Sequence, residues 1–271
     1  MAIVTVPELV AEIGEGSLVA VPREYSGVAM EATRELLRAG TGGLRLLAVP
    51  TSGLQVDVLI GAGRVAEVEA AAISLGEAGL APRFSAAMRA GSITMRDSTC
   101  PAVHAALQAA EKGIPFVPLR GIIGSDVLAR RTDWRVEQNP FAAEPDPIVL
   151  LPALRPDVAL FHAPRADAEG NVWVGRHREL ATMAHAAVRT LVTVEEVVDG
   201  DLLADHELAP GAIPAIYVTT IAVAPRGAWP LGLPGSYSAD ADELARYAAA
   251  ARTDDGFTTW LDEHLYAGSA R

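Results

Sequence analysis

Val158-Ala159-Leu160-Phe161-His162, the helical stretch 179–187, and then Thr190-Leu191-Val192-Thr193-Val194 form the passage on which the fold turns. Both apolar runs are continuous rather than alternating. That suits strands covered on both faces, hence a parallel sheet lying between helices. The same rhythm extends outward to both ends. Further strands are expected at 18–21, 44–49, 56–60, 93–95, 116–117, 148–151 and 217–224. Helices are expected at 7–13, 29–38, 82–90, 101–111 and 240–251, with a terminal helix at 257–266. Pro101 suits a first helical position, and Gly40, Gly91 and Gly113 suit the residue that follows a helix. Regular alternation of this kind predicts an α/β fold: an open, mostly parallel sheet flanked by helices, in one domain spanning residues 1–271. Two departures are an irregular loop around 120–147, holding Gly121, Gly124, Pro140, Pro145 and Pro147, and a C-terminal helical segment at 240–266. Long excursions of this sort are usually functional or interface-forming.

Composition narrows the class. Half of the residues are hydrophobic, enough for a sizeable core, yet no apolar run approaches the ~20 residues that a membrane span needs. The net charge of −12, with basic residues scattered along the chain, speaks against a phosphate-tracking nucleic-acid binder. A single cysteine, Cys100, forms no internal disulfide and points to a reducing compartment. Met1-Ala2-Ile3-Val4 has no basic region of a secretory signal, so the cytoplasm is the expected location. Lys112 is the only lysine, which confines Schiff-base chemistry to one helix-end position.

Local motifs are sparse. Gly61-Ala62-Gly63-Arg64-Val65-Ala66 fits a dinucleotide-binding pattern, but without an acidic residue closing a clear second strand it reads better as a tight strand-to-strand turn. Cys100, before Pro101 at a helix start, sits where amide dipoles favour a thiolate; with no histidine placed beside it as a base, capping or packing is the simpler reading. The six histidines form no metal-binding spacing, no metal is expected, and no nucleophile-elbow motif occurs. Glu195-Glu196 ends a strand, where carboxylates of an open α/β sheet face the crevice. Arg23-Glu24-Tyr25-Ser26-Gly27 follows the first expected strand as an anion-facing loop or a plain surface turn.

Taken together, certain segments resemble the A (α) subunits of family I CoA-transferases, of the glutaconate CoA-transferase type. They are Ile60-Gly61-Ala62-Gly63-Arg64-Val65, Gly79-Leu80-Ala81-Pro82-Arg83-Phe84, Gly113-Ile114-Pro115-Phe116-Val117-Pro118, Gly121-Ile122-Ile123-Gly124-Ser125-Asp126, Pro156-Asp157-Val158-Ala159-Leu160-Phe161-His162-Ala163, Leu191-Val192-Thr193-Val194-Glu195-Glu196 and Pro225-Arg226-Gly227-Ala228-Trp229-Pro230. The resemblance implies an open α/β chain paired with a homologous B (β) subunit, in a heterodimer or heterotetramer, with the site between them. It also implies that an acyl-CoA and a carboxylic acid are the substrates, CoA being a substrate moiety rather than a bound cofactor. The nucleophilic glutamate is then expected on the B subunit, and no catalytic residue in this chain. Substrate-binding candidates are Arg23, Glu24, Ser74, Cys100 and Arg120, arginine being suited to bidentate carboxylate recognition. Two departures qualify the likeness. Pro22-Arg23-Glu24 replaces the family's Gly-Gly-aromatic turn, and Cys100 stands where the ring-opening hydrolase branch carries a glutamate. The alternatives are a CoA-thioester or C–C hydrolase subunit of the same family, or a non-catalytic scaffolding subunit.

Overall fold

The computed structural model describes residues 2–265. The chain opens with β1 (Ala2–Val4), α1 (Val6–Val10), β2 (Leu18–Val21), α2 (Met30–Ala39), β3 (Leu44–Ala48), α3 (Leu54–Gly61), β4 (Val65–Ala70), α4 (Pro82–Ala90) and β5 (Thr94–Asp97). It continues through α5 (Cys100–Glu111), β6 (Phe116–Leu119), α6 (Asp126–Arg130), β7 (Arg135–Gln138), β8 (Pro147–Pro152), β9 (Val158–Asp167), β10 (Val172–Trp173) and α7 (Arg178–Ala186). The last part holds β11 (Arg189–Val198), β12 (Ala212–Ile213), β13 (Thr220–Val223), α8 (Ala241–Ala250) and α9 (Asp254–Leu265). The terminal helix was expected to reach Tyr266, which lies outside the described residues.

Parallel strands make the main sheet in the order β1-β13-β11-β9-β2-β3-β4-β5, with β10 and β12 added antiparallel at one end of β9. Alternate residues of each strand feed two cores. Val19, Val21, Leu44 and Leu46 face a layer built from α1 to α4, α8 and α9, while Ala20, Leu47, Phe161 and Val192 face α5 and α7. This two-sided burial is why the strands read as unbroken apolar runs.

Three expectations need correction. The run 56–60 is helical, belonging to α3, whose residues Leu54 to Ile60 are all buried. Gly61-Ala62-Gly63 is therefore a helix-to-strand turn leading into β4, not a turn between two strands. The strand expected at 217–224 is confined to β13, because residues 215–217 form a 3-10 turn. The 120–147 excursion also carries more order than expected: α6 and β7 lie within it, and β7 and β6 pair on either side of β8 in a small antiparallel sheet. Trp134, Ile122, Val149, Leu151 and Ala102 fill the space beneath that sheet. Among the described residues, no helix is long and apolar enough to cross a membrane.

Candidate functional site

From β2 the chain steps outward through β3, β4 and β5, and from β9 it steps the other way through β11 and β13. The order reverses between β2 and β9, and in open α/β sheets ligands bind outside the carboxyl ends of strands at such a point. Residues from both halves converge there.

The loop after β2 is fastened on each side. Glu24 N donates to Thr51 O at 3.0 Å, and His162 N on β9 donates to Gly27 O at 2.7 Å. Gly27 has φ +89°, and a Cβ on it would stand 2.0 Å from His162 O, so no other residue fits. The Glu24 carboxyl turns inward, with both oxygens 3.0 Å from Leu54 N at the start of α3. Gly53 allows this approach: a Cβ there would meet Ser74 O at 2.2 Å and Glu24 Oε2 at 2.6 Å. Burial pushes the Glu24 carboxyl up to about 8, against the pull of the Leu54 amide and with a further push from Asp57. Three loops, after β2, after β3 and after β4, thus meet around one buried acid.

Arg23 points elsewhere. Its Nε donates to Ser26 Oγ at 2.6 Å and lies 2.9 Å from Glu179 Oε1, while Ser26 Oγ also donates to that oxygen. Burial raises the Glu179 carboxyl, but Ser26, its own amide, Arg23 and His177 outweigh it and hold it below the usual glutamate value. His104, one turn into α5 beyond Cys100, is lowered by burial, with Glu179 opposing and Arg23 assisting.

A second cluster closes β9 and β11. His162 is fully buried, with Nε2 2.7 Å from Glu195 Oε1 and Nδ1 2.8 Å from Thr193 Oγ1. An ionised carboxylate only accepts, so Nε2 carries the proton of this pair. Glu195 also accepts from Tyr237 Oη at 2.7 Å and from Arg226 N at 2.6 Å. Burial raises its carboxyl, and the donors from His162, the Arg226 amide and Tyr237 together hold it below the ordinary value. The cluster ties the 225–237 segment to the sheet.

Of the residues singled out from the sequence, Glu24 and Ser74 come together around Gly53, while Arg23, next to Glu24 in the chain, turns to Ser26 and Glu179 instead. The Ser74 hydroxyl is engaged in its own turn, accepting from Gly76 N at 3.1 Å and donating to Gly79 O at 3.2 Å. Cys100 is exposed at the first position of α5, after the cap Thr99. Arg120 stands apart after β6, exposed, with Nε donating to Asp146 Oδ1 at 2.9 Å. Ser26, His104, His177, Glu179 and Tyr237 were not read from the sequence as site residues. Two of them carried a usable signal, Ser26 within the loop read as anion-facing and Glu179 as an acid at the start of an expected helix.

This architecture has counterparts. Residues 3–219 match the Coenzyme A transferase family. An uncharacterized protein of Archaeoglobus fulgidus is 32% identical over 243 residues, covering 88% of this chain; the chain spans about half (53%) of that protein's length. The A subunit of glutaconate CoA-transferase from Acidaminococcus fermentans is 29% identical over 252 residues, covering 87% of this chain and 78% of the relative. The crystal structure of that glutaconate CoA-transferase superposes with a TM-score of 0.91 at 25% identity, covering 98% of this chain and 89% of the other. The cholesterol ring-cleaving hydrolase IpdA subunit of Rhodococcus jostii is 29% identical over 247 residues, covering 87% and 82% of the two chains. With the match running from β1 almost to β13, and the loops that follow β2, β3, β4 and β9 all inside it, this chain belongs to the coenzyme A transferase family.

Proposed function

We propose that this chain is the A subunit of a two-chain, cytoplasmic CoA-transferase that moves CoA between an acyl-CoA and a carboxylic acid. A homologous B subunit supplies the nucleophilic glutamate, and CoA enters only as a substrate moiety. In that reaction a glutamate carboxylate attacks the thioester carbonyl and expels CoA thiolate, leaving an acyl-glutamyl anhydride. The thiolate then attacks the glutamyl carbonyl and releases the acyl group as a carboxylate. The acceptor acid takes CoA by the reverse pair of steps.

One observation carries the assignment of roles. A nucleophilic carboxylate must be shielded from water yet keep a free oxygen. Three glutamates gathered near the strand ends are held instead within the chain: Glu24 against Leu54 N, Glu179 at the start of α7 by Ser26 and Arg23, and Glu195 by His162, Tyr237 and the Arg226 amide. Their arrangement favours an attacking carboxylate that comes from outside this chain. Arg23, Ser74 and Cys100, at the mouth of the loops, shape the cleft that receives it.

The test is co-expression with the B subunit, followed by acyl-CoA exchange with acetate or succinate as acceptor. Acceptor-dependent transfer, with a glutamyl-CoA adduct found on the partner by mass spectrometry, is the expected result. Release of CoA to water without an acceptor would move the reading to the hydrolase branch. Turnover unchanged by Arg23→Ala and Ser74→Ala would reduce this chain to a scaffold.

A further inference from the structure

A cavity of about 440 Å³ lies on the flank of α5 and α7 that is turned away from the sheet. The two helices press Val103, Leu107, Leu180 and Met183 into the core. That leaves Gln108, Lys112, Arg178 and Thr182 on the outer side, where all four line the cavity. The turn at 210–212 closes it, and Val174 and Gly175 form a wall that also borders the space beside Ser26 and His162 at the strand ends.

The walls are rich in donors and poor in acceptors. Among the described residues, none of the four outward side chains forms a hydrogen bond or an ion pair. Lys112 and Arg178 can only donate, and the Gln108 amide and the Thr182 hydroxyl add further donors. The acid on the wall, Glu111, is engaged, its Oε1 standing 3.2 Å from His185 Nδ1. The chain as a whole carries 34 acidic against 22 basic residues, so two cations facing one cavity without an acid partner run against its balance. Arg178 is placed at a cost as well. It opens α7, where the helix dipole disfavours a cation, and it gains no ion pair there in return.

We propose that this cavity binds a small phosphate ester, its phosphoryl oxygens on Lys112 and Arg178 and its hydroxyls on Gln108 and Thr182. A phosphate monoester carries close to two negative charges and several strong acceptor oxygens, which match two cations and a surplus of donors better than the single charge of a carboxylate. At the ~30 Å³ that a water-sized group occupies in the liquid, the cavity holds about fifteen non-hydrogen atoms, enough for the phosphate of a short polyol. The site is separate from the Glu24 group, and binding there requires no particular reaction of the complex.

The experiment reads binding and not turnover, so it stands or falls apart from the transferase reading. Because Lys112 is the only lysine, the full chain made with lysine labelled at its ε-carbon shows a single ε-methylene signal by carbon NMR. It is titrated with glycerol 3-phosphate and, separately, with glycerate, at constant ionic strength. A saturable shift with the ester, and binding about tenfold weaker with glycerate, is expected. Arg178→Gln should weaken the ester about tenfold, and Gln108→Ala by less. Arg89→Gln removes the same charge from an exposed arginine of α4 that forms no ion pair among the described residues, and it should bind as the wild type does. All three substituted positions are exposed, and an unchanged denaturation midpoint shows that each variant is folded. Coenzyme A added to the saturated protein separates two sources of the same chemistry. If it displaces the ester, Lys112 and Arg178 hold the phosphates of that substrate; if it does not, they hold those of a separate ester. The proposal is overturned if glycerol 3-phosphate gives no saturable shift, if glycerate binds as tightly as the ester, or if Arg178→Gln and Arg89→Gln weaken the ester alike.

Discussion

An acid as deeply buried as Glu24 destabilises the fold whenever it ionises, because the chain must hold the charge away from water with only the Leu54 and Gly53 amides facing it. Below its ordinary value of 4.5 the group is protonated in both folded and unfolded chains, and ionisation costs nothing. Between 4.5 and about 8 the unfolded chain releases its proton first, so the folded state holds more protons and loses stability as pH rises. At most the loss is on the order of 4–5 kcal/mol. Glu24→Gln keeps an acceptor for Leu54 N and removes the titration. The wild type should therefore lose stability relative to this variant from about pH 5 to pH 8, with the gap then levelling off. Denaturant titrations of both proteins across that range decide it, and a gap independent of pH would show that Glu24 stays ionised. The sequence placed Glu24 at a strand end, but nothing local revealed its burial, since the amide that holds it lies 30 residues further along.

α3 shows what an apolar pattern can and cannot convey. Leu54, Val56, Val58, Leu59 and Ile60 cover its circumference, and Gln55 and Asp57 are buried as well, so no periodic stripe separates an inner from an outer face. A short segment apolar on every side reads equally as a covered strand, which is how the residues from Val56 to Ile60 presented themselves. The helices with one wet face, such as α2 and α7, were legible because their patterns alternate with a helical period. The polar exception inside α3 is its fastening. Asp57 accepts from Phe84 N on α4 at 2.7 Å and from the fully buried Tyr247 Oη on α8 at 2.6 Å. Tyr247→Phe keeps the ring against Trp260 and removes one donor from a buried carboxylate. The expected loss is about 1–3 kcal/mol, read as a lower denaturant midpoint at unchanged slope. A change within about 0.5 kcal/mol would mean that the hydroxyl contributes little and that α8 is held by its apolar packing alone.

At the scale of the molecule, the small β6-β8-β7 sheet has to be joined to the main one, and Arg131 is the buried centre of the polar link, beside the Arg96–Asp133 and Arg130–Asp97 pairs. Its Nη1 donates to Glu69 Oε1 on β4 at 2.8 Å and to Asp97 O at the end of β5 at 3.0 Å, while Nε and Nη2 each donate to Asp133 at 2.9 Å. The guanidinium also lies 4.1 Å from the centre of the Trp134 ring. Both charged side chains of the Arg131–Glu69 pair are almost fully buried, and removing the guanidinium leaves Glu69 with the longer contact from Arg96 Nε to its other oxygen, at 3.3 Å. Arg131→Met should cost about 3–5 kcal/mol, concentrated in the excursion, because the main sheet keeps its own two cores. Amide hydrogen exchange should accordingly quicken across residues 120–147 while β9 and β11 stay protected. Adding Glu69→Leu removes the half-paired buried carboxylate, leaving Arg96 on Asp133, and the double variant should recover part of the loss, since an apolar replacement of a buried pair is often tolerated. Uniform quickening over both sheets would instead make Arg131 a determinant of the whole fold, and no recovery in the double variant would assign the loss to Trp134 and Asp133. The network was hidden in the sequence for the same reason as the functional cluster. Glu69, Asp97, Arg131 and Asp133 belong to strand, turn and loop segments that only the crossover from the main sheet to the small one brings together.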